Sequence, residues 1–286
     1  MRGSTLGCMI SSRFAEATVL KGHGTENDFV ILVDTDNCLA PTPEEVAALC
    51  DRHAGIGADG LLRVVRARDI NASSAADWFM DYRNADGSVA EMCGNGMRVF
   101  AHYLVVSGLE KEKEFLVGTR AGDKHVTVHA ADERTADVSV EMGEASVTGV
   151  STCVLGQTTF AGLGVDVGNP HLACIIPTLT KDQLEALPIQ DGFAVDTEFF
   201  PAGVNVEIAT ELVDGAVYMR VNERGVGETR SCGTGTVATA VAALADAGLA
   251  DGTVAVHVLG GTVQVTVKDG KAALRGPSEI VFRVQV

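Results

Sequence analysis

The sequence predicts an α+β fold of two pseudo-symmetric domains, each a curled, mostly antiparallel sheet around a central helix. Three observations lead there. The tetrapeptide Cys93-Gly94-Asn95-Gly96 recurs as Cys232-Gly233-Thr234-Gly235, one copy in each half of the 286 residues. Each copy runs straight into an apolar, helix-like segment. Most of the remaining chain alternates apolar and polar residues with the period of half-buried strands.

Taken in order, Thr42-Pro43-Glu44-Glu45 supplies an N-cap, a proline at the first helical position and early acidic residues, predicting a helix to about Cys50. A second helix is expected over 97–106, stopped by Gly108. Val126 and Val128 alternate with Thr127 and His129, and Val138, Val140 and Met142 with Ser139 and Glu141, predicting strands. Thr180 to Gln183 has a capping-box pattern ahead of Leu184 and Leu187, with Pro188 as its stop. The helix expected over 236–247, stopped by Gly248, is so rich in Ala and Val that nearly all its sides should be buried. Val263, Val265 and Val267, then Phe282, Val284 and Val286, alternate as strands again. The halves read as divergent copies with a boundary near Arg134, giving domains 1–133 and 134–274.

Composition narrows the function. At roughly one domain per 150 residues the length suits two domains with their own cores, and 46% apolar with 21% charged residues is an ordinary globular balance. A formal charge of −16 argues against nucleic acid or an anionic membrane as partner. No apolar stretch approaches bilayer length. The first 16 residues lack an apolar core segment, so they read as a ragged extension rather than a signal peptide, and a cytoplasmic protein is expected.

Seven cysteines without any Cys-x-x-Cys pair disfavour a secreted disulfide framework, a zinc ribbon and a thioredoxin-type motif. Cys8, Cys38, Cys50, Cys153 and Cys174 read as small buried hydrophobes. Cys93 and Cys232 differ through their glycine setting. A cysteine just before a helix lies among unpaired N–H groups at the positive end of the helix dipole, which favours its thiolate.

Two such thiols converging on one cavity would form an acid–base pair. Gly94, Asn95 and Gly96, and Gly233, Thr234 and Gly235, would aim N–H clusters at a substrate carboxylate. One thiolate would remove the proton of the adjacent carbon and the other thiol would return one from behind, inverting the centre. The N–H groups would stabilise charge building on the carboxylate, and dryness would strengthen the base. That chemistry requires no cofactor or metal, and cofactor signatures are missing. Gly225-Val226-Gly227 only begins a dinucleotide fingerprint, with Arg at 230; a Walker A motif is absent, and no Schiff-base lysine stands in a phosphate-binding context. Residues 23–29 and Gly168-Asn169-Pro170-His171 look like binding loops at strand ends, although Asn169-Pro170 also reads as a plain turn. Glu223-Arg224 also reads as a solvated pair, and His53 as a helix cap.

These segments together resemble the diaminopimelate epimerase family over nearly the whole chain. The matching stretches are residues 21–29, 51–60, 84–88, 91–96, 168–171 and 223–229, the last leading into 232–235. The resemblance implies paired domains with the site in the cleft and the last strand, 275–286, returning to the first domain. It implies interconversion of LL- and meso-2,6-diaminopimelate, an amino acid of lysine and peptidoglycan precursor synthesis, without a cofactor. By position, Cys93 and Cys232 are then the two bases, and His171 and Glu223 assist proton exchange. The N–H groups at Gly94, Asn95, Gly233 and Thr234 hold the reacting carboxylate, while Asn27, Asn84, Asn169, Asn205 and Arg224 hold the remainder of the substrate. Two departures stand out. Gly60 replaces a substrate-facing Gln of some members, and Thr25-Glu26 replaces the commoner Leu-Gly, which would reshape that loop.

The expected partners are a small amino-acid substrate and, at most, a second copy of the chain as a homodimer. Two other functions fit paired cysteines: a proline-racemase-like amino-acid racemase on a similar fold, and a thiol redox sensor cycling through a disulfide. Asn84, Asn205 and Arg224 discriminate against the former, because only a second zwitterionic end needs such partners.

Overall fold

The computed structural model describes residues 14, 17–71 and 73–285. Apart from Phe14, the N-terminal extension lies outside the described residues, as do Cys8 and Val286. The chain divides into two compact units, one comprising the residues through Gly24, Asp28–Val140 and those from Pro277 onward, the other Thr25–Asn27 and Glu141–Gly276.

In the first unit, strands β1 (Thr18–Gly24), β2 (Asn27–Val33), β3 (Gly60–Arg66), β4 (Trp78–Asn84), β5 (Glu114–Gly118), β6 (Lys124–Ala131) and β7 (Thr135–Glu144) each pair with the next. The end of the last strand, Lys271–Gln285, pairs antiparallel with β1 and also meets β7, through a bond from Ile280 N–H to Arg134 C=O. The ring is thereby closed, which removes sheet edges. Inside it runs the helix Gly94–Val106, buried from Gly94 to Leu104 and touching β1, β3 and β6.

Two pairs, β2 with β3 and β4 with β5, are parallel. Each needs a crossover rather than a hairpin: the helix Pro43–Cys50 supplies the first, and the buried helix the second. Thr42 closes the expected capping box at the start of Pro43–Cys50. Arg63, 2% exposed, lies between Asp34 at 2.6 Å and Asp81 at 3.2 Å, and Arg83 and Arg120 hold the other oxygen of Asp81.

The second unit repeats this order. Strands β8 (Ser146–Leu155), β9 (Thr158–Asp166) and β10 (Pro170–Ile176) run antiparallel in succession, with the two-residue strand β11 (Ala194–Val195) on β8. The strand β12 (Asn205–Thr210) lies parallel to β10 beyond the short helix Lys181–Glu185, whose capping box at Thr180 forms as expected. Next come β13 (Ala216–Glu223), β14 (Gly227–Thr229), the helix Gly233–Asp246, β15 (Gly252–Val258), β16 (Gly261–Lys268) and the start of β17 (Lys271–Gln285). β13 and β15 are parallel, again across a buried helix. Alternation on β10 and β12 sends Leu172, Cys174, Val206 and Ile208 into an apolar cluster with Phe160 and Ile189. The opposite face, with His171, Asn205 and Glu207, is the one beside the helix Gly233–Asp246.

Three local expectations change. Both buried helices start at the first glycine of the motif, three residues earlier than expected. The glycines are therefore the first helical turn and not a turn ahead of it. Cys38 is exposed, because it lies in a turn where Asp34 accepts from Cys38 N–H and Leu39 N–H; Cys50, Cys153 and Cys174 are buried as expected. On β17, Phe282 and Val284 are 44% and 41% exposed, while Ile280 is buried. Among the described residues no helix is long and apolar enough to cross a membrane.

Candidate active site

Each motif cysteine is the N-cap of its helix, with extended backbone at φ −141° for Cys93 and −124° for Cys232. The N–H of Gly96 donates to Cys93 Sγ at 3.4 Å, and the N–H of Gly235 to Cys232 Sγ at 3.4 Å. The sulfurs thus stand where a Ser or Asp side chain would cap a helix. The glycines are needed for room, since neither Gly96 nor Gly235 has a positive φ. A β-carbon on Gly96 would come within 3.1 Å of Leu62, and one on Gly235 within 2.6 Å of the Glu207 carboxylate.

In the first unit Arg98, which is fully buried, interacts electrostatically with Cys93. It donates to Asn95 Oδ1 at 3.0 Å and to the carbonyl of Pro277 at 3.1 Å. Burial lowers its pKa to about 10, and attraction to Cys93 works in the opposite direction. Gly24 leaves space for this guanidinium, for a β-carbon there would lie 2.8 Å from Nη2. Asn84 donates to Ser88 Oγ at 3.0 Å within its own turn.

Other motif residues form scaffold. Asp28 binds Lys21 at 2.6 Å and Arg52 at 2.8 Å, and Arg52 also reaches Asp59 at 2.7 Å. Burial opposes ionisation of Asp28, yet these cations hold its carboxyl well below the usual range. Gly60 has no space for a side chain: a β-carbon would stand 2.5 Å from the Arg83 carbonyl and 2.8 Å from the Tyr82 ring. His53 does not cap the helix before it: its N–H donates to Asp51 Oδ1 at 2.8 Å, and the last helical carbonyls, Leu49 and Cys50, accept from the N–H groups of Ile56, Gly57 and Ala58.

The second unit gathers most of the predicted site. Asn169 Nδ2 donates to Thr234 Oγ1 at 3.4 Å, and Thr234 Oγ1 lies 3.5 Å from Cys232 Sγ. His171 is fully buried, with Nε2 3.1 Å from Asn169 Oδ1 and Nδ1 2.7 Å from Glu207 Oε1. Asn205 accepts from Arg224 N–H at 2.9 Å and donates to the Pro170 carbonyl at 3.3 Å; the Arg224 guanidinium donates to the Ala202 carbonyl at 2.8 Å. Glu223 accepts from Thr229 Oγ1 and hydrogen-bonds Cys232. It is therefore a half-buried neighbour of the sulfur rather than a solvated pair with exposed Arg224.

The thiolate expected at Cys232 is not favoured. Burial, followed by the charges of Glu223 and Glu207, pushes its thiol well above the ordinary range, and the bonds from Thr234 and Gly235 do not offset this. Burial likewise raises Glu223.

The Thr25-Glu26 departure has a visible consequence. Both residues adopt left-handed backbone, φ 51° and 62°, the two-residue turn that favours Asn and Gly. Asn27, half-buried, follows at the start of β2. Thr25 Oγ1 lies 2.7 Å from Ser231 Oγ, Glu26 pairs with Arg230, and Ser231 and Arg230 immediately precede Cys232.

Two residues were not picked out in the sequence, Arg98 and Glu207. Each is a charge in an apolar run, Met97-Arg98-Val99 and Val206-Glu207-Ile208, and that incongruity was the available signal. Cavity size is no guide: clefts of about 470 and 400 Å³ in the second unit are lined by none of the predicted site residues.

The fold is found in solved structures. A PhzF-family phenazine biosynthesis protein of Bacillus anthracis superposes with TM-score 0.67 at 15% identity, covering 94% of this chain and 98% of that one. A hydroxyproline epimerase of Agrobacterium vitis superposes with TM-score 0.63 at 18% identity, covering 94% and 90%. The architecture is thus of the PhzF and proline racemase-like class. Within it, the diaminopimelate epimerase family model matches residues 19–148 and 163–281. Diaminopimelate epimerases of Corynebacterium glutamicum and Mycolicibacterium smegmatis are 60% and 57% identical, spanning 91% and 92% of this chain and 95% and 94% of theirs. The chain belongs to the diaminopimelate epimerase family and is an isomerase of the racemase and epimerase class.

Proposed function

We propose that this chain interconverts LL- and meso-2,6-diaminopimelate by a cofactor-independent two-base reaction, with Cys93 and Cys232 as the bases. The observation that carries the reading is the repeated N-cap. In each unit a cysteine sulfur accepts from the third backbone nitrogen of a buried helix, at 3.4 Å. Family membership supplies the substrate.

A thiolate takes the α-hydrogen as a proton, the electron pair delocalises toward the carboxylate, and the opposite thiol delivers its proton to the other face. The product leaves with thiol and thiolate exchanged. The chain's environments differ in the sense this needs: a buried guanidinium acts on Cys93, and two carboxylates act on Cys232. A cation favours negative charge on the first sulfur, and carboxylates favour the protonated second. The first-turn amides of Gly94, Asn95, Gly233 and Thr234 receive the reacting carboxylate, at the positive ends of two helices. His171 and Glu223 support proton exchange. Asn27, Asn84, Asn169, Asn205 and Arg224 hold the distal amino-acid end.

On this reading the two units, with their matching strand order and buried helices, are divergent copies forming the two epimerase domains. The enzyme works in the cytoplasm, in lysine and peptidoglycan precursor synthesis, and self-associates as a homodimer, which sedimentation would check. The decisive experiment incubates reduced protein with LL-diaminopimelate in heavy water without added cofactor. Deuterium at the α-carbon of meso product is expected; turnover of proline instead, or no exchange by reduced protein, would overturn the assignment.

A further inference from the structure

The predicted site leaves out a buried acid that touches it. Glu207 is completely buried, its Oε1 lies 2.7 Å from His171 Nδ1, and its Oε2 has no hydrogen-bond partner among the described residues. An isolated carboxylate oxygen in the interior is costly, so its retention calls for a reason. A second observation is independent of the first: the carboxylate occupies the space a side chain on Gly235 would need, directly under the first turn of the Cys232 helix.

From Glu207 an unbroken series of polar contacts reaches the sulfur. It runs from Oε1 to His171 Nδ1 at 2.7 Å, from His171 Nε2 to Asn169 Oδ1 at 3.1 Å, from Asn169 Nδ2 to Thr234 Oγ1 at 3.4 Å, and from Thr234 Oγ1 to Cys232 Sγ at 3.5 Å. All five residues lie in the second unit.

We infer that Glu207 is a positioning residue that sets the direction of every hydrogen bond in this relay, so that Thr234 O–H points at the Cys232 sulfur. The argument is one of donors and acceptors. A carboxyl group at Nδ1 keeps a proton between Oε1 and that nitrogen, either on the imidazole or on the acid. In both of these forms, with two protons on the pair, Nε2 carries its own hydrogen and donates to Asn169 Oδ1; the remaining form, Nδ1–H facing an ionised Glu207 with Nε2 bare, would leave a net negative charge on a completely buried pair, which desolvation disfavours. Asn169 must then turn its NH₂ toward Thr234, whose oxygen accepts and whose hydrogen is released toward sulfur. The thiolate produced when Cys232 gives up its proton is met by that O–H and by Gly235 N–H. Burial raises the pKa of Glu207 and His171 opposes the rise, which suits a shared proton. The titratable groups around Glu207 are His171, Glu223, Cys232, Cys153 and Cys174. The role in turnover rests on the proposed epimerase reaction, whereas the proton arrangement does not.

The test has two arms. Proton-coupled nitrogen NMR of the imidazoles in wild-type protein should show His171 Nε2 protonated on both sides of neutral pH. In Glu207→Leu, which removes the partner of Nδ1, the ring should sample both tautomers. In turnover of LL-diaminopimelate, Glu207→Leu should lower kcat at least about tenfold with KM little changed, the usual scale for losing a group that orients another. Glu207→Gln, which can still donate to Nδ1, should restore most of kcat with a displaced pH profile. A wild-type His171 protonated only at Nδ1, or a folded Glu207→Leu with unchanged kcat and tautomer, would overturn the relay. If Glu207→Leu does not fold, the wild-type tautomer and the Gln variant decide it. Wild-type protein inactive on diaminopimelate would refute the proposed reaction, and the tautomer measurement would then judge the relay alone.

Discussion

The carboxylate of Glu207 occupies the place where a side chain on Gly235 would have to go, 2.6 Å from the position of its β-carbon. The last glycine of the second cysteine motif is thus fixed by an acid on β12, 28 positions earlier in the chain. The equivalent glycine in the first unit, Gly96, faces the end of a Leu62 side chain at 3.1 Å, which has freedom to move.

Gly235→Ala is accordingly expected to destabilise the protein by about 1–3 kcal/mol, the range for overpacking, despite alanine's better helix propensity. Gly96→Ala should cost less. Denaturant unfolding of the two variants compares them directly, and the reverse order would contradict the packing described.

Replacing Cys93 or Cys232 by serine should lower epimerisation by at least about a hundredfold, because an alcohol is too weak an acid to supply a usable base. Unfolding midpoints should barely change, since serine caps helices well. Steady-state rates in both directions provide the check, and a variant keeping substantial activity would remove that residue from the mechanism.

The turn at Thr25 and Glu26 sets two terms against each other. Left-handed backbone costs a non-glycine residue about 1–2 kcal/mol, and an exposed ion pair such as Glu26–Arg230 returns at most about 1. Glu26→Gly should therefore be neutral to slightly stabilising. Ser231→Ala, which removes the buried partner of Thr25, should cost about 1 kcal/mol. Thermal unfolding of both variants measures the balance.

Asp81 makes stability sensitive to acid. Burial would raise its pKa, but hydrogen bonds and charges from Arg120 and Arg83 depress it below the ordinary carboxylate range. A carboxyl with a lowered folded-state pKa contributes stability above its unfolded value of about 4, and loses it as pH falls toward the folded value. Unfolding free energy should therefore drop below about pH 4. Asp81→Asn should flatten that slope and cost about 1–3 kcal/mol at neutral pH, by removing the charge that Arg63, Arg83 and Arg120 share while Arg63 keeps Asp34. Urea titrations across pH would show an unaltered slope if this were wrong.

Much of the molecule is legible from local pattern alone. The capping boxes at Thr42 and Thr180, the Ala/Val-rich helix after Cys232 and the alternating strands depend on neighbours in sequence, so period and cap residues specify them. The two Cys-Gly-x-Gly turns mark the sulfurs for the same reason. Burial and long-range charge are different. The same helix N-terminus that favours a thiolate at Cys232 lies beside Glu223 and Glu207, and desolvation with their charges outweighs the bonds from Thr234 and Gly235. Nothing near residue 232 in the chain announces Glu207, which arrives through the parallel pairing of β10 with β12. The chain alone therefore determined the family, the helices, the strands and the two Cys-Gly-x-Gly motifs that cap the buried helices. Tertiary packing decided the upward push on the Cys232 thiol, the burial of Arg98 and Glu207 and the space available at each glycine, because dielectric surroundings and steric contact depend on residues distant in sequence.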